Sequence, residues 1–122
     1  MSALILIVDD EPALANAVAH FLEDEGYRVR VARDGLTAFE LAVREPPDLI
    51  LSDVHMPHLD GPALVRRLRA IGRAVPVVLM SAVYSGTGHA DVRFVPKPFD
   101  LDHLLVLIQE ALDHGTAACE TN

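Results

Sequence analysis

The stretch that decides the fold is Ala3-Leu4-Ile5-Leu6-Ile7-Val8-Asp9-Asp10-Glu11-Pro12. Its first six residues are apolar, rich in β-branched side chains, and show no polar alternation. That pattern describes a strand covered on both faces, as in the interior of a parallel sheet. The chain then changes character within one residue. Three carboxylates are followed by a proline that fits the first turn of a helix, with Asp10 placed to cap it. Leu14, Val18, Phe21 and Leu22 recur at helical spacing until Gly26 stops the run. A buried strand, an acidic turn and an amphipathic helix make one β/α unit.

The unit repeats along the chain. Residues 27–31 alternate with period two, as an edge strand with one wet face does. Residues 35–44 form a second helix with Ala38, Leu41 and Ala42 on one face, ended by Pro46 and Pro47. Residues 48–52 are a third, buried strand. Pro62 opens a third helix that turns Leu64, Val65, Leu68 and Ile71 inward. Residues 75–80 are a fourth strand, with Pro76 tolerable near its start, and residues 92–95 a short fifth. Residues 100–112 form the last helix, with Leu101, Leu104, Leu105, Ile108 and Leu112 inward. Strict alternation predicts an α/β protein with right-handed crossovers and helices on both faces of a parallel sheet. The most apolar strands are the first, third and fourth. They fit a flavodoxin-like (βα)5 fold with a central five-stranded sheet in the order 2-1-3-4-5. Residues 1–114 are expected to form the domain and residues 115–122 a flexible C-terminal tail. Residues 84–91 leave room for about two helical turns and contain Gly86, Gly88, Ser85 and Thr87, all poor helix formers. The fourth helix is therefore expected to be shortened or absent.

Composition narrows the function classes. The chain has 122 residues, 51% of them hydrophobic and 23% charged, a balance that suits one folded domain rather than disorder. Its longest apolar run falls far short of the roughly 18 residues of a membrane span, and no basic segment or cleavage site marks it as a secretory signal. Ten basic against eighteen acidic residues give a formal charge of −8, so direct nucleic-acid binding is not expected. The single cysteine, Cys119, excludes an internal disulfide and a thiolate metal site. A reduced, cytoplasmic protein is the expectation.

In the strand order 2-1-3-4-5 the ligand crevice opens at the carboxyl ends of the first and third strands, where the winding reverses. Both strands run into carboxylates, so Asp9, Asp10 and Asp53 are expected to converge there. Two such charges at 4 Å repel by about 4 kcal/mol at an effective dielectric near 20. A hard divalent cation removes that repulsion, and an oxygen-only ligand set suits Mg²⁺. Lys97, between Pro96 and Pro98 after the fifth strand, is placed to reach over the crevice to Asp53 or to a phosphoryl oxygen. A cis Lys97–Pro98 bond is an open alternative to trans. Ser81 ends the fourth strand and offers a hydroxyl. His55 and His58 flank the crevice and are read as solvent-exposed histidines, since no metalloprotease spacing is present.

Taken together, Asp9-Asp10-Glu11, the run from Asp53 through His55 and Pro57 to Asp60-Gly61, Ser81-Ala82, and Phe94-Val95-Pro96-Lys97-Pro98-Phe99 resemble the receiver domain of two-component response regulators. The likeness is to the stand-alone, chemotaxis-regulator-like form, and it covers essentially the whole chain. It implies that Asp53 is the phosphoacceptor and that Lys97 holds the phosphoryl group. Ser81 is implied as the hydroxyl that turns toward that group, and Phe94 as the switch aromatic. Asp10, Asp53 and the backbone carbonyl of His55 are implied as direct Mg²⁺ ligands, with Asp9 as a further acidic partner. His55 and Val83 stand where the family tunes hydrolysis. The expected function is phosphorylation-dependent signalling. The domain takes a phosphoryl group from a sensor histidine kinase or phosphotransfer protein, assists only its own phosphorylation and dephosphorylation, and signals to an unknown downstream protein. An Mg²⁺-dependent phosphatase-like hydrolase working through an aspartyl-phosphate is the alternative. That class wants a second acid two residues after the nucleophile, where this chain has His55. A third possibility is that the chain is the receiver fragment of a larger regulator.

Overall fold

Five strands of five residues each pair in parallel: β1 (Leu4–Val8), β2 (Arg28–Ala32), β3 (Leu49–Asp53), β4 (Val77–Ser81) and β5 (Val92–Pro96). Their order across the sheet is β2-β1-β3-β4-β5, as the alternation predicts. Four helices lie among the described residues: α1 (Pro12–Asp24), α2 (Gly35–Arg44), α3 (Gly61–Ala70) and α4 (Leu101–Glu120). The computed structural model describes residues 2–54, 59–81, 92–97 and 99–120, the last seven by backbone alone. The expected shortened helix at residues 84–91, and the Lys97–Pro98 peptide bond, lie outside the described residues.

β1, β3 and β4 are buried along nearly their whole length because each has a strand on both sides and helices above and below. The two-residue period of a strand then divides the core in two. Ile5 and Ile7 of β1, Leu49 and Leu51 of β3, and Val78 and Met80 of β4 point to one face. There they pack on Ala15, Val18 and Leu22 of α1 and on Leu104, Ile108 and Ala111 of α4. The intervening Leu6, Val8, Ile50, Val77 and Leu79 meet Ala38 and Ala42 of α2 and Leu64, Val65 and Leu68 of α3 on the other face. Fully burying each such side chain is worth roughly 1.5–3 kcal/mol.

Helix ends follow local chemistry. Asp34 and Asp60 cap α2 and α3 by accepting from the N–H groups of Thr37 and Ala63 at 2.8 and 2.9 Å. α1 and α3 both stop at a glycine with positive φ, Gly26 at 97° and Gly72 at 81°. In each case the next residue reaches back, Tyr27 N–H to the Leu22 carbonyl and Arg73 N–H to the Leu68 carbonyl.

Four local expectations are corrected. The residue at the α1 N-cap is Glu11, not Asp10, and its side chain makes no cap bond. Asp9 does that work instead, one residue before, through the Glu11 N–H. Ile71, expected inward, is 50% exposed, because α3 ends at Ala70 and the turn into Gly72 carries Ile71 off the helical stripe. β3 begins at Leu49 rather than Asp48, since Asp48 is spent on a clasp with the start of β1. Its carboxylate accepts the Leu4 N–H at 2.7 Å and its own N–H donates to the Leu4 carbonyl at 2.8 Å. The last helix runs past residue 112 to Glu120.

Candidate functional site

Register builds the site. β1 and β3 pair with a fixed offset, Ile5 on Leu49 through Val8 on Ser52, which brings the next residue, Asp9, abreast of Asp53. β3 and β4 pair Asp53 with Met80, and β4 and β5 pair Ser81 with Pro96. The carboxyl ends of β1, β3, β4 and β5 thus share one rim. Lys97 follows β5 there, its N–H held by the Ser81 carbonyl at 3.0 Å.

Asp9, Asp10 and Asp53 each present a carboxylate oxygen within 4.8 Å of the others. Like charges at 4.8 Å repel by about 3–4 kcal/mol at an effective dielectric of 20. Lys97 answers part of this. Its Nζ donates to Asp53 Oδ2 at 3.1 Å and stands 3.9 Å from Asp9 Oδ2. One cation does not balance three carboxylates.

The three acids differ in surroundings. Asp9 is 1% exposed. Its Oδ1 accepts the Glu11 N–H at 2.9 Å, while Oδ2 is buried without a hydrogen-bond partner among the described residues. Burial pushes the Asp9 carboxyl above its ordinary value. The Glu11 N–H and Lys97 pull it down, and Asp53 and Asp10 add to the rise. Asp53 is partly buried at the end of β3, and Asp10 is exposed. A buried, unpartnered carboxylate oxygen beside two more carboxylates fits a hard cation with an oxygen ligand set.

Of the other expected residues, Ser81 is buried at the last position of β4. Phe94 is half-buried in β5, beside Leu79 of β4, and packs on the α2–α3 core. His55, His58 and Val83 lie outside the described residues. Two residues matter here that sequence reading gave no role. Ser52, buried, donates its hydroxyl to the Asp53 carbonyl at 2.9 Å. Gly61, the first residue of α3, lies so close to Asp53 that an added Cβ would stand 2.6 Å from the Asp53 carbonyl oxygen. Its N–H donates to the Val54 carbonyl at 3.0 Å, which locks α3 against the end of β3. The Asp60-Gly61 pair is a visible cap signal, but only tertiary contact shows what the missing side chain makes room for.

A doubly wound parallel sheet with an acidic, lysine-bridged crevice at its switch point defines a receiver domain. The sequence model of the response regulator receiver domain matches residues 5–109, and the chain belongs to that family. It is 36% identical over 118 residues to the response regulator MprA of Mycobacterium ulcerans, covering 92% of this chain and 51% of that protein. To MprA of Mycobacterium leprae it is 37% identical over 114 residues, covering 88% and 50%. The chain thus spans about half the length of these curated relatives. Among solved structures, the chemotaxis protein CheY4 of Vibrio cholerae superposes with a TM-score of 0.83 at 30% identity, over 92% of this chain and all of that one. The receiver domain of a signal transduction histidine kinase from Syntrophus aciditrophicus gives 0.83 at 34% identity, over 93% and 92%. The protein is a receiver module of two-component signalling.

Proposed function

We propose that Asp53 is the phosphoacceptor of this receiver and that it takes its phosphoryl group from a sensor histidine kinase or a phosphotransfer protein. The observation that carries the reading is the placement of the Asp53 carboxylate, at the mouth of the crevice and 3.1 Å from the Lys97 ammonium. Asp53 attacks phosphorus, the bond to the donor breaks, and an acyl phosphate forms. Lys97 holds an equatorial oxygen, and the chain contributes mostly position and charge. Ser81 supplies the hydroxyl that meets the phosphoryl group, and Phe94 is the aromatic that follows its movement.

Mg²⁺ is the cation proposed for the acidic cluster. Asp10 and Asp53 would bind it directly together with the backbone carbonyl of His55, and Asp9 would support them. When bound, it neutralises charge on the phosphoryl oxygens. The receiver unit is proposed as residues 1–114, in keeping with the family match over residues 5–109, with residues 115–122 as an appendage to it. The reading makes the chain a signalling protein of the cytoplasm rather than an enzyme with an external substrate. Its downstream target is a protein, and direct contact with nucleic acid is not part of the reading. A stand-alone receiver and the receiver half of a longer regulator would use this site in the same way.

The test is treatment with acetyl phosphate and Mg²⁺ followed by intact-mass analysis. One phosphoryl addition is expected, and none in Asp53→Asn. An adduct that persists in that variant would place the chemistry elsewhere.

A further inference from the structure

Charge is segregated across the sheet. α2 and α3 carry four arginines, Arg44, Arg66, Arg67 and Arg69, against one carboxylate, Glu40. α1, and α4 as far as Asp113, carry no lysine or arginine and five carboxylates. The two helical layers cover opposite faces of one sheet, so a molecule with a formal charge of −8 presents one face whose helices are net basic and one whose helices are acidic, with Arg93 of β5 also on the acidic side.

Each face also has an exposed apolar feature. On α4, Val106 is 48% exposed. Asp102, Glu110 and Asp113 stand along the same stripe at helical spacings of four and seven, with His103 and Gln109 three residues to either side, so the valine is a knob with acids above and below it. Leu104, Ile108 and Ala111 hold the opposite side of the helix in the core. On α2, a shallow open cavity of about 260 Å³ is lined by Phe39, Glu40, Val43 and Arg44. The Arg67 guanidinium lies over the Phe39 ring, 5.7 Å from its centre, and borders the hollow with positive charge. Among the described residues no carboxylate pairs with Arg44, Arg66 or Arg67. The hollow exceeds the size of a valine side chain, and its rim, with Arg44 and Arg67 against Glu40, is net positive, opposite in sign to the acids near Val106.

We propose that this chain associates with a second copy of itself heterologously, the Val106 knob on α4 of one molecule seating in the α2 hollow of the next. Asp102, Glu110 and Asp113 face Arg44, Arg66 and Arg67 across the contact. The two surfaces lie on opposite faces, so the contact does not close on itself and extends to short open chains. The interface stands outside the phosphorylation crevice, so the unphosphorylated protein is enough to test it. Its ion pairs sit at the rim, which makes the association salt-dependent.

Sedimentation velocity over a wide protein concentration range, at low and at high salt, is the experiment. The average mass is expected to rise with concentration at low salt and to return to that of the monomer at high salt. Val106→Glu is expected to weaken the association about tenfold or more, as loss of a central apolar anchor does. Two double variants make the test reciprocal, with circular dichroism verifying that each is folded. Glu110→Arg with Asp113→Arg turns the charge around Val106 net basic, so that knob and hollow repel, and Arg44→Glu with Arg67→Glu turns the hollow acidic, so that both are acidic. Each alone should stay monomeric, and an equimolar mixture should regain association. A wild type that stays monomeric at all concentrations overturns the proposal. So does association that Val106→Glu leaves unchanged, or a mixture that fails to associate.

Discussion

At Asp9 burial opposes ionisation, and among the described residues Lys97, 3.9 Å away, is the cation that faces it. The raised pKa of Asp9 has a definite sign in stability. In the pH range between the ordinary carboxylate value and the raised one, the folded state holds a proton that the unfolded state has lost. Stability therefore falls as pH rises through that window, and the loss is complete above it. Asp9→Asn removes the charge and leaves an oxygen able to accept the Glu11 N–H. In chelator the variant should match the wild type at low pH and melt a few degrees higher at neutral pH, by thermal melts across the pH range. A variant that melts lower at neutral pH would make Asp9 a structural cap. Asp10→Asn should raise the metal-free melting temperature at neutral pH by less than Asp9→Asn does, because its charge faces the other two acids from an exposed position. The cost of losing Lys97 has the opposite sign. Lys97→Met leaves Asp9 and Asp53 facing each other without their cation and should destabilise the metal-free protein by ~1–3 kcal/mol. Excess Mg²⁺ should recover part of that loss in a parallel melt. The three acids and the lysine were legible in the sequence as strand-end residues. The buried, unpartnered oxygen of Asp9 was not, since burial of one atom depends on what packs around the loop.

At the scale of elements, α3 positions Asp53 by starting against it. Gly61 permits the approach, and any side chain there meets the Asp53 carbonyl oxygen, the Ser52 hydroxyl and Leu79. Gly61→Ala should cost ~1–3 kcal/mol, as overpacking does. It should also slow phosphorylation of Asp53 several-fold more than an equally destabilising substitution far from the crevice. Leu104→Ala in α4 is that comparison. It opens a cavity in the α1–α4 core and should cost ~2–5 kcal/mol, measured by denaturant titration, with little effect on the phosphorylation rate of the folded protein. Sequence periodicity found all four described helices and most of their inward residues. It assigned Ile71 to the core and passed over Ala111, because periodicity marks hydrophobic character. It does not show where a helix ends or which small residue faces a neighbour at close range.

Over the whole molecule, the central strands should be the last to open. β1, β3 and β4 have partners on both sides and are buried, whereas β2 and β5 are edges with exposed positions. Native-state hydrogen exchange should show global protection in β1, β3 and β4, and faster sub-global exchange in β2 and β5. Equal protection across all five strands would mean that the sheet opens only as a unit. What the sequence determined by itself was the alternation of elements, the strands that are apolar on both faces, and the carboxylates that close β1 and β3. These are written within a few residues of one another, as period and composition, and a parallel sheet with right-handed crossovers has few ways to arrange them. The tertiary structure alone decided the register that sets Asp9 abreast of Asp53 and the burial of Asp9 Oδ2 without a hydrogen-bond partner among the described residues. It also decided the opposite charges of the two helical faces. Each of these depends on groups tens of residues apart in the chain, and their distances are fixed only when both cores have packed.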